Sequence, residues 1–232
     1  MARKPEVLHG ERIVHYDDAH WALLEELREK ALDTMKKLEK SSVTPYVYGS
    51  LARGDISKTS DIDIIILDTI PSYRIEIAVG HGVMRELVQA TPSSVLKGHL
   101  HLDQATVVSF PIFKMMSRER EFYQWGGMVS TDDVSKDIRV PGVDKRLVMI
   151  DPTDTGHIEY GVIGYESSVA KKIGVSVSIA NERVRVLKRR DEVGRTGVYR
   201  TYHLQDDETF ETAAKKLADS DPALRRTLKR RN

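Results

Sequence analysis

The chain of 232 residues contains no cysteine. That absence excludes disulfides, thiolate nucleophiles and zinc–thiolate centres, and it fits a reducing, cytoplasmic setting. Long apolar runs are absent too. Nothing approaches the roughly 18–20 residues needed to span a bilayer, so no membrane partner is expected. The opening residues, Met1-Ala2-Arg3-Lys4-Pro5-Glu6, lead into no apolar stretch, and no signal peptide is expected. An excess of one charge is also missing. Lys and Arg number 36 against 35 Asp and Glu, a formal net charge of +1. Any nucleic-acid contact must therefore come from local clustering. What is present, 40% apolar and 31% charged residues, suits a soluble globular protein of one or two domains.

The most informative stretch runs from Tyr48 to Leu67. Tyr48-Gly49-Ser50-Leu51-Ala52-Arg53-Gly54 reads as the end of a strand, a glycine–serine turn and a short helix. Ser60-Asp61-Ile62-Asp63-Ile64-Ile65-Ile66-Leu67 reads as a buried strand headed by two carboxylates. Asp61 and Asp63 are two apart, so they share one face. Two carboxylates at the mouth of a buried strand require neutralisation, and divalent cations are the usual solution. Gly49 allows close backbone approach to a ligand, and Ser50 offers a hydroxyl to a phosphate oxygen.

Elsewhere the pattern predicts a strand near Arg12 to His15 and a helix from about Asp18 to Lys40. That helix carries Trp21, Leu24, Leu27, Ala31, Met35 and Leu38 on one face. Strands are expected at Pro45 to Tyr48 and Met84 to Ala90, with a hairpin of His99 to Leu102 and Ala105 to Phe110. Pro71 opens a helix over Tyr73 to Val79. Ser117 starts another short helix, Arg146 to Ile150 forms a strand, and Asp151 to Gly156 is an exposed connector placed at a domain boundary. Toward the C-terminus, a helix over Tyr165 to Ile173, a turn at Gly174-Val175-Ser176 and a second helix from Val177 to Arg190 precede a β-hairpin over Asp191 to Leu204. From Asp206 the chain reads as a polar amphipathic helix with a basic end.

The Gly-Ser turn, the ten residues that follow it and the Asp-x-Asp strand resemble the nucleotidyltransferase superfamily that includes DNA polymerase β, the CCA-adding enzymes and the minimal nucleotidyltransferases. The matching positions are Gly49, Ser50, Arg53, Gly54, Asp61 and Asp63. The resemblance implies an α/β (α+β) fold with a mixed sheet flanked by helices. It implies two magnesium ions, with manganese as the alternative, held by three carboxylates. It also implies transfer of a nucleoside monophosphate from a nucleoside triphosphate with release of pyrophosphate. Asp61 and Asp63 fit two ligands. The third belongs on a later strand, where Glu86 in Arg85-Glu86-Leu87-Val88 is expected to serve; Asp103 is the rival, with a local reason to stand at its hairpin turn. Ser50 is expected on the β- or γ-phosphate, with Arg53 or Lys58 adding charge. Arg53 has a second reading as a partner of Asp55. His99 and His101 share a strand face; with no third ligand nearby in the sequence, they read as half-exposed strand residues.

The helix, turn, helix and hairpin resemble a winged helix-turn-helix domain. Lys171, Lys172, Arg183, Arg185, Lys188, Arg189, Arg190, Arg195 and Arg200 face only Glu182, Asp191 and Glu192 in that region. Arg183, Arg185, Lys188 and Arg195 are the expected contacts to DNA or RNA. The alternative is a helical face that docks on protein. The expected division is 1–116 catalytic, 117–160 connecting, 161–204 winged and 205–232 a basic tail. Two other functions fit the same residues: a nucleic-acid-binding regulator with a degenerate catalytic domain, and a component of a toxin–antitoxin pair.

Overall fold

The computed structural model describes residues 4–194 and 197–231. In chain order these form β1 (Glu11–His15), α1 (Asp18–Lys40), β2 (Pro45–Tyr48), α2 (Ser50–Arg53), β3 (Ile62–Ile66), α3 (Ser72–Val79), β4 (Met84–Gln89), β5 (Leu96–His101), β6 (Thr106–Pro111), α4 (Ser117–Trp125), β7 (Met128–Ser130), α5 (Thr131–Ser135), β8 (Gly142–Val143), β9 (Val148–Thr153), β10 (Gly156–Gly161), α6 (Glu166–Ile173), α7 (Val177–Val193), β11 (Arg200–His203), α8 (Phe210–Ser220) and α9 (Pro222–Arg231). They divide into two compact units built from interleaved segments. The first gathers Met1–Lys30, Val47–Ser60 and Arg120–Thr196; the second gathers Ala31–Tyr46, Asp61–Glu119 and Gly197–Asn232. The sequence pattern places its boundaries at 116, 160 and 204. No helix among the described residues is long and apolar enough to cross a membrane.

The first unit holds an antiparallel sheet of order β1-β10-β9-β8. The expected connector Asp151 to Gly156 is the turn and flanks of the β9–β10 hairpin: Thr153 pairs with Gly156 and Pro152 with His157. Turn-forming residues mark both linkers and hairpins, and only the pairing distinguishes them. Trp125, Leu147, Met149 and Val162 form a core with Val169, Ala170, Ile173, Ala180 and Val184 of α6 and α7. Gly174 ends α6 in the left-handed conformation, and the Ser176 hydroxyl accepts from Ile179 N–H to start α7. The helix–turn–helix is therefore as the sequence suggests. The hairpin after it is not. With no breaker before Gly194, α7 runs on to Val193.

In the second unit the strand order is β11-β4-β5-β6-β3. Here β3 runs parallel to β6, and the other pairs are antiparallel. This is a mixed sheet accompanied by helices. β11, expected as one arm of the wing, pairs along β4. Its alternating residues can complete any open edge, and the edge it finds is distant in sequence. Gly98 allows the close approach of Phe110, whose ring atoms would lie 2.4–2.9 Å from a Cβ there. Phe110 in turn meets the edge of Phe210 at a centroid distance of 4.8 Å.

The expected tail is two ordered helices. Pro222 cannot continue α8, and Asp221 Oδ1 accepts from Ala223 N–H to start α9. Glu211 of α8 accepts from the backbone and hydroxyl of Ser72, and Thr227 Oγ1 of α9 donates to Pro92 O. Phe210 is fully buried. Phe210→Ala is expected to cost about 3–5 kcal/mol, the usual range for an emptied core aromatic site, and to raise amide exchange through α8 and α9. Urea unfolding with exchange mass spectrometry checks this; a loss under about 1 kcal/mol would mean that the helices do not depend on this anchor.

Candidate functional site

In the first unit, Gly49 follows β2; its φ of 82° suits glycine and its N–H donates to Gly127 O at 2.9 Å. A Cβ there would meet open space, so conformation and not crowding selects the glycine. Ser50 then begins α2. Its hydroxyl lies 3.4 Å from that of Ser60, which accepts from Ser57 N–H at 2.8 Å. Lys58 is exposed in the intervening turn.

Two arginines brace this segment. Arg28 is buried and donates to the carbonyls of Leu51, Ala52 and Ile138. It satisfies the open C-terminal end of α2, and burial draws its guanidinium down to about 10. Arg53 is 5% exposed. It makes a two-point contact with Asp55 at 2.9 and 3.0 Å and donates to Gly126 O. Of its two readings from sequence, the Asp55 pairing is the one the geometry displays.

In the second unit, Asp61 directly precedes β3 and Asp63 lies within it. Ile62, Ile64, Ile65 and Ile66 are all essentially buried, whereas Asp61 is exposed and Asp63 half-buried. Ile62 N–H donates to Ala105 O at 2.8 Å, which fixes the head of β3 beside the turn that holds Asp103. Asp103 accepts there from Ala105 and Thr106 N–H, both at 2.7 Å.

The strand order does not bring Glu86 to this pair. Three strand spacings, roughly 14 Å, separate β4 from β3, and the neighbour of Asp63 on β6 is Val107. Glu86 meets His99 and His101 instead, at 3.5 and 3.1 Å. These three form a cluster capable of holding a metal ion. The β4–β5 register sets Glu86 directly opposite His99, a pairing that no short sequence pattern gives.

The first unit also contains a cavity of about 760 Å³ beside Asp55 and Ile56. Tyr16 hydroxyl lies 2.6 Å from His157 Nδ1, and His20 stacks on Tyr16 and lies 2.8 Å from Gly54 O. Burial draws His157 below its ordinary range and pushes the Tyr16 phenol up. Spacing gave no hint of this grouping, because Tyr16 follows β1, His20 lies in α1 and His157 in β10. Of the expected cationic face on α7, Arg183 lies 4.8 Å over the Phe122 ring and burial lowers its pKa. Arg185 and Lys188 are exposed. Arg195 lies outside the described residues.

Residues 28–105 match the family model described as nucleotidyltransferase domain. The chain carries a nucleotidyltransferase domain. The match spans 78 of the 232 residues and includes both the Gly49–Ser50 turn and the Asp61–Asp63 pair. No curated protein and no solved structure matches the chain. Within the nucleotidyltransferase domain, Glu86 and His99 are each shifted in a defined direction. Hydrogen bonding from His99, and from His101, holds the Glu86 carboxyl down at about 2. His99 also falls below its ordinary 6.5, because burial outweighs the carboxylate beside it.

Both groups bind fewer protons in the folded state than in the unfolded state. Stability is therefore complete at neutral pH and is lost on acidification. The loss begins as pH falls through about 6.5, where unfolded His99 takes up its proton, and deepens below about 4.5, where unfolded Glu86 does so. Thermal melts in chelator from pH 8 to pH 4 should show a falling Tm. The wild-type decline from pH 5 to pH 4 should be steeper than that of Glu86→Gln; equal slopes would count against the Glu86 assignment.

Proposed function

We propose that the protein is a metal-dependent nucleotidyltransferase that moves a nucleoside monophosphate from a nucleoside triphosphate to a hydroxyl or phosphate acceptor. The observation that carries this reading is the Asp61–Asp63 pair on a strand whose next residues are buried, within the region that matches the nucleotidyltransferase family. The donor set fits magnesium, which takes oxygen ligands and keeps water and phosphate oxygens in its shell. Asp61 is exposed and Asp63 half-buried, so their oxygens are reachable from solvent. Asp103, in the turn beside the head of β3, is the carboxylate we assign as their third partner. Bound there, magnesium would neutralise triphosphate charge and lower the pKa of an attacking hydroxyl.

The chain's own contribution is positioning. β3 cannot shift without exposing its isoleucines, so the two carboxylates are held ready before substrate arrives. Ser50 offers a hydroxyl and Lys58 an exposed ammonium for phosphate oxygens. Arg53 supports the turn through Asp55 and Gly126.

The reading is tested with labelled nucleoside triphosphates and magnesium against RNA, DNA and protein acceptors. Asp61→Asn and Asp63→Asn should each lower transfer by about 10²–10³-fold or more while circular dichroism stays unchanged. Asp103→Asn should lose activity and Glu86→Gln should keep it. Loss in Glu86→Gln with full activity in Asp103→Asn would reverse the assignment of the third carboxylate. Full activity in both Asp61 and Asp63 variants would remove the proposed function.

A further inference from the structure

The second unit gathers nitrogen donors that the sequence keeps apart. Glu86 stands opposite His99 in the antiparallel register of β4 and β5, and His101 lies two residues along the same face. Glu86 Oε1 lies 3.1 Å from His101 Nε2 and 3.5 Å from His99 Nδ1. One ligand atom from each residue lies within 4.8 Å of the others. On the opposite flank, β11 sets His203 beside Glu86, with Nδ1 3.7 Å from Oε2.

Two readings compete for such a cluster: a hydrogen-bonded patch and a metal centre. Bonds of about 2.0–2.1 Å to a tetrahedral ion place neighbouring donors about 3.3 Å apart. The observed 3.1 and 3.5 Å straddle that value, so an ion could replace the carboxylate–imidazole contacts without backbone movement. His99 Nε2 is buried with no hydrogen-bond partner. The nitrogen that faces Glu86 is Nδ1, so an ion there would leave Nε2 as it is, and the donor spacing is what favours the metal centre.

We propose that Glu86, His99 and His101 form a binding site for a first-row transition-metal dication of the zinc class, separate from the Asp61–Asp63 pair. Two imidazoles and one carboxylate suit zinc, cobalt or nickel, whereas magnesium prefers oxygen alone. With no cysteine in the chain, no thiolate competes for the ion. Three protein ligands leave a fourth position, the pattern of a centre that keeps an exchangeable water. His203, 65% exposed, stands beside Glu86 and is not counted among the three ligands. By strand count His101 is roughly 10 Å and Glu86 roughly 14 Å from the Asp63 strand, too far for one ion to serve both sets.

The test uses the full-length protein stripped with chelator and titrated with Co²⁺, then Zn²⁺, in excess Mg²⁺. One equivalent of Co²⁺ should bind with a visible absorption band, be displaced by Zn²⁺ and resist Mg²⁺. His99→Ala and His101→Ala should each weaken binding beyond the roughly 10–100-fold that loss of an outer-sphere partner costs. Asp61→Asn/Asp63→Asn should bind Co²⁺ as wild type does. A measurement on the unmodified chain guards against misfolded variants: Zn²⁺ should shift the imidazole NMR signals of His99 and His101 and leave those of His9, His15 and His81 in place. No stoichiometric Co²⁺ binding, imidazole signals unmoved by Zn²⁺, or loss of binding in the aspartate variant would overturn the proposal.

Discussion

Burial of β3 on both faces is the constraint on which the candidate chemistry rests. Four isoleucines in a five-residue strand are almost wholly removed from water, each contributing about 1.5–3 kcal/mol. The strand is fixed in register by its parallel pairing with β6. A slip by one residue would carry Asp63 to the opposite face and an isoleucine into its place, so the register is strongly specified. The carboxylates at its head thus inherit a position set by apolar packing, and their own mutual repulsion is borne by that packing.

Several arginines of this chain have structural roles. Arg28 and Arg53 hold the segment after β2, Arg146 bridges Asp144 and Glu159, and Arg231 meets Glu119. Arg183 lies on an aromatic ring. A guanidinium offers several donors in a fixed fork, which makes it suited to collecting carbonyls and carboxylates in half-buried places. Reading a basic stretch as a phosphate-binding face overlooks this use. In α7 the two roles separate residue by residue: Arg183 is turned to Phe122, while Arg185 and Lys188 remain exposed.

The strands β11-β4-β5-β6-β3 of the second unit carry two kinds of donor on one face. Asp63 shares a row with Val107 and His101, and Glu86 shares the next with His99 and Ser109. Oxygen donors lie at one side of the sheet and imidazoles toward the other, with β6 between them contributing no carboxylate. That separation of roughly two to three strand spacings keeps the Asp61–Asp63 pair and the Glu86–His99–His101 cluster from converging on one point.

Local chemistry determined much of this protein from the sequence alone. The Gly49–Ser50 turn, the Asp-x-Asp strand, α1, α3 and the α6–turn–α7 pair depend on residues close together in the chain, through periodicity, caps and glycine conformation. The same holds for the Arg53–Asp55 pair, two residues apart. Tertiary structure alone decided the rest. β11 was legible as a strand, but its partner β4 lies over a hundred residues earlier, and an alternating segment does not name the edge it completes. Asp151 to Gly156 carried a turn signal that serves linkers and hairpins equally. Glu86 was legible as a strand carboxylate; the strand order β4-β5-β6-β3 decided that it faces imidazoles and not aspartates. Sequence reports what each residue can do, while neighbours across a sheet follow from long-range pairing that no short pattern encodes.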